Sequence, residues 1–135
     1  MMKKIVISGI SKLENKITYW CNYFKEKGYK ILDYPKFVSE ENYKKDLPNV
    51  YIEFYTSIEN ADIYFLMNEE KNNIPGYIGA SSLAELHYAI MQNQLHNKNI
   101  DIYILNMPSK ELSCYDEVKF FLDIGWIKFL PKDIE

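Results

Sequence analysis

Residues 62 to 68 read Asp-Ile-Tyr-Phe-Leu-Met-Asn, and residues 75 to 89 read Pro-Gly-Tyr-Ile-Gly-Ala-Ser-Ser-Leu-Ala-Glu-Leu-His-Tyr-Ala. The first run is apolar on both faces of an extended chain, the pattern of a strand covered above and below. A loop from Glu69 to Ala80 follows it, and an amphipathic helix runs from about Ser82 to His96. Strand, loop and helix in that order form half of a parallel β–α–β unit, and ligands in such sheets sit at the carboxyl ends of the strands. Glu85, in the expected first turn of this helix, therefore points at a ligand crevice.

The same pattern extends outward in both directions. Lys4 to Ser8 is a short β-branched run ending at Gly9. Leu13 to Lys27 is a helix with Ile17, Trp20, Cys21 and Phe24 on one face, and Gly28 closes it. Tyr29 to Tyr34 is a second strand stopped by Pro35, and Ser39 to Asp46 reads as a polar loop with a partial helical turn. Pro48 suits the first position of a helix that Val50 to Asn60 carries on. Asp101 to Asn106 and Gly125 to Leu130 are further strands, with a helix near Glu111 to Leu122 between them. The expected fold is α/β: one domain over residues 1–135, with a flavodoxin-like parallel sheet of five strands in the order 2-1-3-4-5 and helices on both faces. The crevice lies between the first and third strands.

A chain of 135 residues buries roughly two-thirds of its unfolded surface. Its net charge of −3 argues against a nucleic-acid-binding module, which carries a basic face. All 16 basic residues are lysines. Without the arginine fork that grips phosphate bidentately, any phosphate held here must rely on lysine, backbone N–H groups or hydroxyls. Cys21 and Cys114 are too few and too far apart for a metal site, and as reduced thiols they fit a cytoplasmic protein. No apolar run approaches the roughly 20 residues that span a bilayer. Neither metal nor cofactor is expected.

The strand ends supply the candidate site. Ser8, Gly9 and Ser11 follow the first strand, Asp33 and Tyr34 the second, Asn68, Glu69 and Glu70 the third, and Asn106 the fourth. Gly9 permits close backbone approach to a ligand, and Ser11 donates to a phosphate or sugar oxygen. Asn68 and Asn106 carry the donors and acceptors needed to read a base edge. Tyr34 and Tyr77 can stack on a base or sugar. Gly79 and Ser82, around the start of the Glu85 helix, complete the set. Ser82 and Glu85 also have the spacing of a capping box, in which Glu85 folds back onto the Ser82 N–H.

The block around Glu85 resembles the signature of the nucleoside 2-deoxyribosyltransferase-like family, where a Gly-x-x-x-Glu-hydrophobic-Gly-Tyr-Ala pattern carries a nucleophilic glutamate. Here Gly79 stands six residues before Glu85, and Leu86, Tyr88 and Ala89 follow it. Lys3 to Gly9, Gly28-Tyr29, Ala61-Asp62 and Ile104-Leu105-Asn106 extend the resemblance over most of the chain. It implies that Glu85 attacks the anomeric carbon of a nucleoside or nucleotide and forms a glycosyl-enzyme intermediate. Gly9 and Ser11 would hold sugar or phosphate, and Glu69 or Asn68 would attend the base. His87 stands where the family has glycine, and Val6 where many members have a tyrosine that positions the nucleophile. These departures favour the alternative of a non-catalytic binder of a nucleotide-derived molecule. The resemblance also implies a symmetric oligomer. Tyr88, Met91 and Leu95 form one helical stripe, and Tyr51, Phe54 and Tyr55 surround another helix, material for a homodimer unless the carboxyl-terminal segment covers the stripe.

Overall fold

The computed structural model describes residues 2–134, and strands alternate with helices throughout. The strands are β1 (Lys4–Ser8), β2 (Lys30–Asp33), β3 (Ile63–Leu66), β4 (Asp101–Ile104) and β5 (Lys128–Phe129). The helices are α1 (Glu14–Glu26), α2 (Tyr43–Glu59), α3 (Ala80–His96) and α4 (Tyr115–Asp123). All the strand pairs are parallel and their order is β2-β1-β3-β4-β5, as the sequence predicts.

β1 and β3 are central because their side chains are apolar on both faces. Tyr64 faces α2 and α3 among Val6, Ile58 and Leu86, whereas Phe65 faces α1 among Trp20 and Phe24. Each fully buried side chain of this size contributes about 1.5–3 kcal/mol. Three helices cover one face. The other carries α1 with Leu130 and Ile134 of the carboxyl-terminal tail. The chain leaves β1 toward β2, then crosses back over β1 to β3, so the strand order reverses between β1 and β3, but the open cleft lies on the β2 side of that point, at the ends of β1 and β2.

Two element boundaries differ from expectation. α2 begins at Tyr43, so Pro48 lies inside the helix instead of starting it. Proline removes the bond to the carbonyl four residues back. Here that carbonyl belongs to Lys44 in the exposed first turn, where water can satisfy it. α3 begins at Ala80 with Gly79 as its cap residue, and no side chain caps it. Ser82 is consequently the third helical residue and Glu85 the sixth, so the capping box does not form.

Asp62 accepts the Lys4 N–H at 2.8 Å, tying β3 to β1 at the amino edge, away from the crevice. The Tyr88 ring packs edge-on against Tyr55 and its hydroxyl donates to Glu59, so α2 covers the start of the Tyr88–Met91–Leu95 stripe. Leu95 stays 69% exposed. No helix among the described residues is long and apolar enough to cross a membrane.

Candidate active site

A cleft of about 370 Å³ opens at the carboxyl edge of β1 and β2 and is closed on its other sides by α2 and the start of α3. That volume lies within the range of small-molecule sites. Seven of the residues singled out in the sequence line it: Gly9, Ser11, Tyr34, Tyr77, Gly79, Ser82 and Glu85. Ser8 lies beneath them, fully buried, and acts through Glu85.

Glu85 is the chemical centre of the cleft. Helical side chains lean toward the amino terminus, so a residue in the second turn of α3 still reaches the sheet edge. The Ser8 hydroxyl donates to Glu85 Oε1 at 2.6 Å. Burial raises the Glu85 carboxyl to about 7, the Ser8 bond pulls against that rise, and the charge of Asp33 adds to it. Tyr64, beside Val6 in the β1–β3 register, is fully buried and feels the charge of the same carboxylate. Its hydroxyl donates to the Ser82 carbonyl at 3.4 Å. Burial and then the Glu85 charge hold that phenol well above its usual range, so it acts as a neutral donor. A carboxyl that exchanges its proton near neutrality, beside a small-molecule cleft, is equipped for nucleophilic or acid–base chemistry.

Three candidates are placed elsewhere. The Asn68 amide oxygen accepts the N–H groups of Leu105 and Asn106 at 3.0 and 2.9 Å, and its NH₂ donates to the Asn106 carbonyl at 2.6 Å. Asn106 returns a bond to the Asn68 carbonyl at 3.0 Å. These two residues clamp the end of β3 to the end of β4 and do not line the cleft, because the backbone there needs the partners a base edge would have used. Glu69 accepts the Trp20 indole N–H at 3.0 Å and so faces α1 on the opposite side of the sheet. His87 points toward α4, with Nδ1 2.9 Å from the Leu83 carbonyl and Nε2 3.2 Å from Glu117. Its departure from the family pattern therefore falls outside the cleft.

Gly9 has a second reason to be glycine. A Cβ there would lie 2.7 Å from Met67 Cγ, so a larger residue would force the buried Met67 side chain to shift.

The wall supplied by α2 is not part of the site the sequence predicts: Tyr51 and Phe54, read there as material for a dimer contact, instead line the cleft, with Phe54 buried. Leu47, Val50, Tyr51 and Phe54 line the cleft at positions i, i+3, i+4 and i+7 of one helix face. Tyr51 also pairs its hydroxyl with Ser81 at 3.0 Å, joining α2 to the start of α3. Following the helical period through Pro48 would have found them. Lys12, Lys36 and Lys71 also line the cleft, and no sequence signal distinguishes them from the other lysines. Lys36 is paired with Asp33 at 3.2 Å, whereas Lys71 lies over the Tyr77 ring.

No protein-family model matches the chain, and comparison with curated proteins gives no match either.

Proposed function

We propose that the protein cleaves or transfers the N-glycosidic bond of a (deoxy)nucleoside or nucleotide, with Glu85 as nucleophile. The observation that carries this reading is the Glu85 carboxylate, bonded to Ser8 at 2.6 Å and exposed to a cleft of small-molecule size. The family resemblance of the surrounding segment supports it. Aromatic rings from Tyr34, Tyr51 and Tyr77 line the same space and suit the flat faces of a base or sugar. The three lysines supply positive charge where the chain has no arginine, so 5′-monophosphates belong to the candidate substrates alongside nucleosides.

In this mechanism ionised Glu85 attacks the anomeric carbon while the base departs with the bonding electrons. Water or an acceptor base then takes the sugar from the carboxylate. The test is incubation with a panel of nucleosides and 5′-monophosphates, with and without acceptor base, followed by chromatography of the released base. Equal inertness of the wild type and Glu85→Ala across the panel overturns the catalytic reading.

The second reading is a binding protein for a nucleotide-derived small molecule. It is favoured by a Glu85 carboxyl raised to about 7, which leaves much of the nucleophile protonated at neutral pH. A ligand at 100 times its dissociation constant adds about 2.7 kcal/mol of stability, so thermal shift without product selects this reading. The proposal includes a homodimer: Leu95 at the end of α3 and Ile52 on α2 remain exposed apolar residues. Light scattering that gives the 16.1 kDa mass of a single chain excludes it.

A further inference from the structure

The pairing of β1 with β2 contains an irregularity. Ile5 pairs with Ile31, but Val6 pairs with Asp33, so Leu32 is skipped. Bulges are uncommon between parallel strands, and they re-aim a side chain. The residue re-aimed here is an aspartate that is only 5% exposed. Its Oδ1 accepts the Tyr34 N–H at 2.8 Å and pairs with Lys36 Nζ at 3.2 Å. Tyr34 and Lys36 both line the cleft, whereas Asp33 lies behind them. The neighbouring strand, β1, ends in Ser8, the donor to Glu85.

A buried aspartate is costly unless something holds its charge, and Lys36 does so here. The ion pair in turn fixes a cation at the rim of the cleft, since the Lys36 ammonium also sits 5.5 Å from the centre of the Tyr34 ring. Asp33 pairs with Val6, two residues before the Ser8 that donates to Glu85, and its charge opposes ionisation of Glu85.

We infer that Asp33 is a positioning residue for the cleft, holding Lys36 at its rim and setting, jointly with Lys36, the charge that Glu85 experiences. The inference rests on Glu85 being the working group of the proposed function, but its test needs no turnover. The groups that interact with Glu85 are Ser8 from β1, by a hydrogen bond, and Asp33 from β2, Tyr64 from β3 and Tyr55 from α2, through charge, with Lys12, Lys36 and Lys71 around the same cleft. Ser8 and the two tyrosines are neutral near pH 7, so Asp33 is the anion among them.

The experiment follows the Glu85 carboxyl carbon by NMR through a pH titration of the wild type, Asp33→Asn, Lys36→Ala and Lys71→Ala. Asp33→Asn removes the repelling charge and should lower the Glu85 midpoint by about 0.5–1 pH unit, a three- to ten-fold gain in the ionised fraction on the acid side. Lys36→Ala leaves Asp33 uncompensated and should raise the midpoint. Lys71→Ala removes a cation of the same cleft that is not bound to Asp33 and should raise it less. Opposite movements in the Asp33 and Lys36 variants cannot arise from simple loosening of the fold. An unchanged or raised midpoint in Asp33→Asn overturns the inference. Should that variant not fold, equal effects of the two lysine substitutions overturn it. Loss of all activity in the substrate panel, with these midpoint movements intact, would sink the proposed reaction and leave the role of Asp33 standing.

Discussion

The Ser8 hydroxyl donates to Glu85 Oε1 at 2.6 Å across 77 positions of sequence, joining the end of β1 to the second turn of α3. The bond steadies a carboxylate that burial otherwise drives toward its protonated form. Ser8→Ala should therefore raise the Glu85 midpoint, and any reaction depending on the ionised form should slow at neutral pH.

If Glu85 is the nucleophile, only its ionised form reacts. The rate of base release should climb with pH and reach half its plateau near the Glu85 value of about 7. Glu85→Gln should lower kcat/KM by roughly 10³-fold or more on the alkaline plateau, with the gap narrowing below pH 7 as the wild type loses its ionised form. A wild-type profile that is flat from about pH 5 to pH 9 would exclude this role.

The raised carboxyl also shapes stability. Glu85 holds its proton more tightly folded than unfolded, so its contribution is fully present below the unfolded value of 4.5 and is lost as pH rises through about 7. Across that window the wild type should lose on the order of 2–3 kcal/mol relative to Glu85→Gln, after discounting for partial solvent contact. Urea unfolding of both proteins at a series of pH values measures the difference. A constant gap between the two curves contradicts it.

Asn68 should behave as a structural clamp. Asn68→Ala leaves the N–H groups of Leu105 and Asn106 without their acceptor and should cost about 2–4 kcal/mol in urea unfolding. Asn106→Ala removes a single bond from an exposed residue and should cost less.

Two glycines with positive φ separate backbone strain from steric collision. Gly28 has φ +88° with open space around a Cβ, whereas Gly76 has φ +59° and a Cβ there would run into the Met107 carbonyl oxygen. Gly28→Ala should cost about 1 kcal/mol, and Gly76→Ala clearly more, about 2–4 kcal/mol. Equal losses on thermal unfolding would show that the loop after β3 yields to the added methyl.

The cleft lysines bear on substrate choice. Lys12→Ala and Lys71→Ala should each weaken binding of a 5′-monophosphate by about five-fold, the effect of roughly 1 kcal/mol of screened charge, and leave nucleoside binding within two-fold. Isothermal titration with each ligand pair reads this directly. Equal weakening of both ligands would mean that the lysines only shape the walls.

The alternation of strands with helices and the strand order were legible in the chain itself, because they rest on local signals. Residues 63–66 are apolar on both faces, Ile17, Trp20, Cys21 and Phe24 recur at helical spacing, and Gly28 ends α1 with a left-handed residue. Such patterns follow from which side chains must leave water, and neighbouring positions suffice to show them. Seven of the candidate site residues reached the cleft for the same reason: sheet topology places the loops after parallel strands together. The tertiary structure decided the rest. Asn68, Asn106 and Glu69 had suitable chemistry at the correct edge, but the backbone of β4 and the indole of Trp20 claimed it. Pro48 read as a start, yet the helix runs from Tyr43 straight through it, and its Leu47–Phe54 face, anchored by buried Phe54, forms a wall of the cleft. Asp33 looked like any strand-end aspartate until a skipped residue in the β1–β2 register turned it toward Lys36. Each of these outcomes is a competition between partners distant in sequence. Polar groups go to whichever partner the packed chain brings within 3 Å or so, and no local pattern encodes that choice.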